Sequence, residues 1–143
     1  MKIPTKYIPK HLSRKDAKKQ KQNINHTRKL YKKGVYRNRP KLSSFRSKPS
    51  NHVTRAKKQY GVSKIVPSKE LAKATGCSIK GLRQITKKGR GAYYSSGSRP
   101  NQTAQSWARA RLASAITGGP AAKVDQAILK RYCKPEKWKH FGL

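Results

Sequence analysis

Residues 103 to 120 read Thr-Ala-Gln-Ser-Trp-Ala-Arg-Ala-Arg-Leu-Ala-Ser-Ala-Ile-Thr-Gly-Gly-Pro, and no other stretch limits the fold so tightly. Ala104, Ala108, Leu112, Ala115 and Ile116 recur at spacings of three and four, which lays one apolar stripe along a helix. Thr103 can cap its start, because a hydroxyl accepts from an orphan backbone N–H of the first turn. Gly118 can end it in the left-handed conformation that glycine adopts cheaply. Pro120 suits the first turn of a following helix, where a missing N–H costs nothing, and Val124, Ile128 and Tyr132 form its expected stripe. The prediction is a helical hairpin. Arg109 and Arg111 lie about 200° apart around the first helix, so one can reach an external anion while the other meets Asp125 on the next helix.

The rest of the chain strains against compaction. Thirty-seven Lys and Arg oppose 4 Asp and Glu, a formal charge of +33. Such self-repulsion calls for a polyanion or a large assembly to take up the charge. Cys77 and Cys133 are widely separated and could pair only if the fold brings them together, so a reducing compartment is expected and a disulfide framework is not. No apolar run approaches the ~20 residues of a membrane span. The first nine residues lack the hydrophobic segment of a secretory signal.

The expected fold is mainly α: a small helical domain over 61–134, a long basic arm and linker over 1–60 and an aromatic tail over 135–143. Within the arm, Pro4 and Pro9 favour extended backbone. Ser13 and Asp16 resemble a capping box for a helix running towards Lys33 and Gly34, whose sparse apolar residues would need a partner. Gly34 to Ser50 reads as irregular linker, and a short helix follows up to Tyr60. Ser68 caps a helix over Lys69 to Thr75, and Ser78 one over Ile79 to Lys88. Two helices across Gly76 raise the helix-turn-helix question, the second then offering Lys80, Arg83, Gln84 and Lys87 to a major groove; any two short capped helices would look alike.

Residues 89 to 100 are expected to be a functional loop, Gly89-Arg90-Gly91 and Gly97-Ser98-Arg99 offering backbone N–H groups and arginine forks to phosphate. Candidate contacts to nucleic acid or an acidic surface are Lys80, Arg83, Lys87, Lys88, Arg90, Arg99, Arg109 and Arg111. Tyr93 either stacks on an unpaired base or packs within the chain, as does Tyr94. Tyr93, Trp107, Trp138 and Phe141 are the candidate anchors on a partner, the last two alternatively a lid on the hairpin. No catalytic residue is assigned: the acids are scattered, no histidine has an i, i+4 partner, and no cysteine pair has zinc spacing. The expectation is a non-enzyme without cofactor or metal.

Gly89-Arg90-Gly91-Ala92-Tyr93-Tyr94, Ser98-Arg99-Pro100-Asn101-Gln102-Thr103, Trp107-Ala108-Arg109-Ala110-Arg111 and Gly118-Gly119 resemble the core of a family of small basic proteins without assigned role, found in chlorella viruses, other large DNA viruses and some bacteriophages. The resemblance spans roughly residues 76–130 and implies provenance from a virus with a large double-stranded DNA genome. Joined to the charge, it leads to the expectation of a minor capsid protein on the inner side of the virion, assembled in the host cytoplasm. Its expected partners are the major capsid protein, other minor capsid proteins and genomic DNA. The alternative is a nucleic-acid-binding protein, either a DNA-binding virion core protein or a ribosomal protein on rRNA.

Overall fold

The computed structural model describes residues 3–47 and 51–143; the parts of the arm and linker expectations that fall on 1–2 and 48–50 lie outside them. The described backbone is mainly helical, as expected. It forms α1 (Arg14–Lys32), α2 (Asn51–Tyr60), α3 (Lys69–Thr75), α4 (Ile79–Ser95), α5 (Ala104–Ile116), α6 (Pro120–Val124) and α7 (Gln126–Tyr132), with 3-10 turns at Thr5–Tyr7 and Pro135–Phe141. The caps act as the sequence suggests. Ser13 Oγ accepts from Asp16 N at 3.1 Å, Ser68 Oγ from Leu71 N at 3.2 Å, Ser78 Oγ from Gly81 N at 3.2 Å and Thr103 Oγ1 from Ser106 N at 3.0 Å, each removing one orphan donor of a first turn. All five residues of the α5 stripe are buried.

Three expectations are corrected. Residues 89–95 are not loop: α4 continues through them to Ser95. Gly89 is there for packing, since a Cβ on it would lie 2.8 Å from the Ala108 Cα. The close approach of α4 to α5 offsets the ~1 kcal/mol that glycine costs inside a helix.

The second stripe of the hairpin is displaced. Val124 is 64% exposed, and Ala122, Asp125, Leu129 and Cys133 are the buried positions. The reason is a break at Asp125, where α6 ends and α7 begins; the carboxylate turns inward and sets the register of α7.

Cys77 and Cys133 form a disulfide. Ser78 N donates to Tyr132 O at 2.8 Å and Lys134 N to Gly76 O at 3.0 Å, so the turn after α3 and the end of α7 are zipped together on both sides of the cysteines. Closing a separation of 56 residues removes about 4 kcal/mol of unfolded-chain entropy in the loop-closure account.

The helices fall into two compact units, Met1–Pro49 with Arg90–Trp107, and Ser50–Gly89 with Ala108–Leu143. Both α4 and α5 contribute to each, which divides residues 61–134 between the units, and α2 belongs to the second, which divides residues 1–60. In the first unit, α1 finds its packing partner inside the chain. Ile24 is fully buried and lies where a Cβ on Gly97 would come within 3.1 Å of its Cγ2; Gly97, at φ +123°, is thus held by space as well as by backbone. Beside it, buried Gln20 donates from Nε2 to Tyr7 O at 3.1 Å and Ser98 O at 3.2 Å. The second unit has an aliphatic core: Ile65, Leu71, Leu82, Ile85, Leu112, Ile116 and Leu129, closed by Phe141.

Candidate polyanion-binding surfaces

In a chain with 4 acids, where each carboxylate goes decides how much positive charge is left over. Asp16 Oδ2 accepts from Ser44 N at 2.9 Å and from the Ser44 hydroxyl. The hydroxyl bond, then the backbone bond, hold its carboxyl below the ordinary aspartate value. Asp125 is buried and accepts from Arg111 Nε at 2.9 Å and Nη2 at 2.7 Å, a bidentate fork, with Lys88 Nζ 3.3 Å away. Glu70 and Glu136 are exposed and make no ion pair among the described residues. Among the described residues most of the lysine and arginine charge therefore meets no carboxylate and faces outward.

In the second unit, Lys80, Arg83, Lys87 and Lys88 are exposed on α4. The first three, at i, i+3 and i+7, share one helix face. Lys80 Nζ stands 6.0 Å from the centroid of the Tyr132 ring. Gln84 is turned inward, its Nε2 donating to the Tyr132 hydroxyl at 3.0 Å. The two α5 arginines divide as the 200° rule requires: Arg111 reaches Asp125, and Arg109 is exposed. Phe141 is 1% exposed and closes the core, which makes it the lid and removes it from the set of free anchors. Trp138 is half-buried, donating from Nε1 to Cys133 O at 3.2 Å, with Lys130 Nζ 5.7 Å above its ring.

In the first unit, Arg90 and Arg99 are exposed, but the backbone expected to grip phosphate is otherwise engaged. Gly91 lies inside α4, and Ser98 Oγ accepts from Arg39 Nη2 at 2.7 Å while donating to Arg99 O at 2.8 Å. Arg28 donates to Ser96 O from Nε at 3.1 Å and Nη2 at 2.6 Å. Tyr93 is fully buried and so neither anchors a partner nor stacks on a base. Its ring lies 3.7 Å beneath the Arg39 guanidinium carbon, and its hydroxyl accepts from Arg39 N at 2.7 Å and donates to Gln102 O at 3.1 Å. Trp107 meets Tyr7 edge-on at 5.8 Å.

Tyr94 belongs to a cluster that the sequence did not signal. It stacks on Tyr31 at 6.1 Å and meets Tyr36 at 5.3 Å, while Tyr31 and Tyr36 are 5.6 Å apart. Tyr36 is 62% exposed. Desolvation pushes the Tyr94 hydroxyl above its ordinary value, with Tyr93 adding to the rise and the Arg90 charge opposing it. Tyr31, Tyr36, Arg28 and Arg39 all sit in segments with no apolar periodicity, and the partners they meet among Tyr93, Tyr94, Ser96 and Ser98 lie more than 50 residues away. An aromatic residue on each side of Gly34, within a basic run, was the one available hint.

Among the described residues no three His, Cys, Asp or Glu side chains gather to hold a metal ion, and no helix is long and apolar enough to cross a membrane. Residues 4–130 match DUF5824, a family of unknown function. No curated protein matches the chain, and neither does any solved structure.

Proposed function

The chain belongs to this family of unknown function, which lends it no activity, and from the surfaces themselves we propose a structural virion component: a minor capsid protein of a large icosahedral double-stranded DNA virus. It bridges or cements capsid subunits from the inner side. The observation that carries the reading is the scarcity of internal neutralisation: with Asp16 and Asp125 already bonded within the chain, the cations of α1, α2 and α4 other than Arg28 and Lys88 make no ion pair among the described residues. They are matched to acidic neighbours, and on the genome side they lower repulsion by neutralising phosphates. The viral setting rests on the resemblance of residues 76–130 to small basic proteins of chlorella and other large DNA viruses. The major capsid protein and other minor capsid proteins are the partners in this reading.

A second reading has its own observation. The cluster of Tyr31, Tyr36 and Tyr94 next to Arg90 joins exposed aromatic surface to cations, the combination on which unpaired bases stack. It supports a nucleic-acid-binding protein, either of the virion core or of the ribosome.

Fractionation of purified particles separates the two. A capsid cement stays with nuclease-treated, DNA-free shells as salt rises. Release together with the genome, with a log–log salt slope of about −0.9 per phosphate contact, overturns the capsid reading in favour of a core protein. Absence from virions with recovery on ribosomes overturns both viral readings.

A further inference from the structure

The second unit holds a cleft of about 320 Å³ lined by Val53, Lys57, Lys64, Ile65, Val66 and Arg109. Its construction follows from three short pieces of sequence. Val53 and Lys57 are four apart on α2 and so share a helix face. Gly61, at φ +63°, turns the chain after α2 and delivers Lys64, Ile65 and Val66. Arg109 projects from α5, on the side opposite the arginine that Asp125 engages.

The chemistry of the lining is unusual for so basic a chain. Half of it is aliphatic, with Ile65 at 1% exposure and Val66 at 36%. The other half is three exposed cations, and no acid lines the cleft. None of the three makes an ion pair among the described residues. Three positive charges around an aliphatic wall repel one another unless an anion enters, and an aliphatic wall gains only if the anion brings apolar surface with it. A nucleic-acid strand satisfies the first condition alone. It would want an aromatic platform for its bases, and the lining has no aromatic side chain.

We propose that this cleft docks an acidic protein segment in which an aliphatic side chain is flanked by carboxylates. The aliphatic group rests on Val53, Ile65 and Val66, and the carboxylates are taken by Lys57, Lys64 and the Arg109 fork. The inference deepens the capsid reading, on which it rests for the source of the segment, a neighbouring subunit.

The test measures binding of a fluorescent Asp-Glu-Leu-Asp-Glu peptide to the full chain, to Arg109→Ser and to Lys123→Ser. Lys123 is exposed on α6 and outside the cleft, so the two variants lose the same charge. Arg109→Ser should weaken the peptide roughly tenfold, the worth of one charge-assisted hydrogen bond, and Lys123→Ser less than twofold. Replacing the peptide's Leu by Ser should cost roughly fivefold on the wild-type chain. Equal losses for both variants, or indifference to the Leu, would mean unspecific charge attraction and overturn the proposal. So would an oligothymidylate of equal charge that binds more tightly and is the ligand Arg109→Ser disrupts, since the cleft would then serve nucleic acid. Particle fractionation is read separately: peptide failure beside retention in shells removes the cleft and keeps the capsid reading, and peptide success beside absence from virions does the reverse.

Discussion

Each of the two units buries an arginine's charge interactions, and they satisfy them by opposite means. In Ser50–Gly89 with Ala108–Leu143, Arg111 is matched to a carboxylate, Asp125, by two bonds of 2.9 and 2.7 Å. In Met1–Pro49 with Arg90–Trp107, Arg39 is 8% exposed and makes no ion pair among the described residues. Its guanidinium lies over the Tyr93 ring and donates to Tyr93 O at 2.9 Å and Ser98 Oγ at 2.7 Å. Burial pulls the Arg39 pKa down, opposed by Tyr93 and Tyr7, yet an arginine keeps its proton in proteins. A chain with few acids can therefore bury a cation by lending it a π face, a carbonyl near a helix C-terminus, where the macrodipole is negative, and a hydroxyl.

The largest effect expected from breaking this comparison is on the carboxylate side. Arg111→Met leaves a fully buried Asp125 carboxylate with Lys88 alone. Removing one partner of a buried pair costs 3–5 kcal/mol, and because Lys88 remains, about 3 kcal/mol is expected in urea unfolding. Asp125→Asn in the same background should recover part of it by removing the orphaned charge. If the double variant is no more stable than Arg111→Met, the pair matters through packing and the electrostatic contrast between the units fails.

Arg39→Met comes next. It strips charge-assisted bonds from Tyr93 O and Ser98 Oγ but strands no opposite charge, so about 2 kcal/mol is expected. Hydrogen exchange locates the loss: amides of α1 and of residues 90–107 should lose protection before those of α3 and α7. Uniform loss across both units would make them one cooperative body and leave the comparison without energetic content.

How much of this was legible depends on the range of each interaction. The α5 stripe, its Thr103 cap and the Arg111–Asp125 pair were readable because local periodicity places all of them within two adjacent helices. The continuation of α4 was not, because Gly89, Gly91, Ser95 and Ser96 look like loop residues one by one. Gly89 serves a packing contact with Ala108 that no local rule encodes. Val124 misled because a 3.6-residue period was carried through Asp125, where the helix breaks. The Arg39–Tyr93 contact and the disulfide span 54 and 56 residues; nothing in the spacing of two cysteines, or of one arginine and one tyrosine, fixes such a pairing. Of the candidate contacts, Lys80, Arg83, Lys87, Lys88, Arg90, Arg99 and Arg109 are exposed, as their charge alone suggested. The aliphatic wall beside Arg109 needed the fold.

The smallest effect sharpens the comparison by pH. In the first unit the Asp16 carboxyl lies below its ordinary value through Ser44. A depressed acid contributes stability that is present above its unfolded pKa, near 3.8, and is lost as pH falls through the folded value. In the second unit Tyr60 is pushed up to about 12 by desolvation, and its hydroxyl donates to Ile116 O. A raised phenol contributes stability that is present below its unfolded value of 10.0 and is lost as pH rises towards 12, because the unfolded chain releases its proton first. Tyr60→Phe should cost about 1 kcal/mol at neutral pH for the lost hydrogen bond and flatten the alkaline decline relative to wild type. Asp16→Asn should flatten the acid decline and leave the alkaline limb unchanged. Thermal melts of the three proteins from pH 3 to 11 check both limbs. A Tyr60→Phe curve parallel to wild type above pH 10 would place the alkaline loss in the lysines instead, since their deprotonation is common to both proteins.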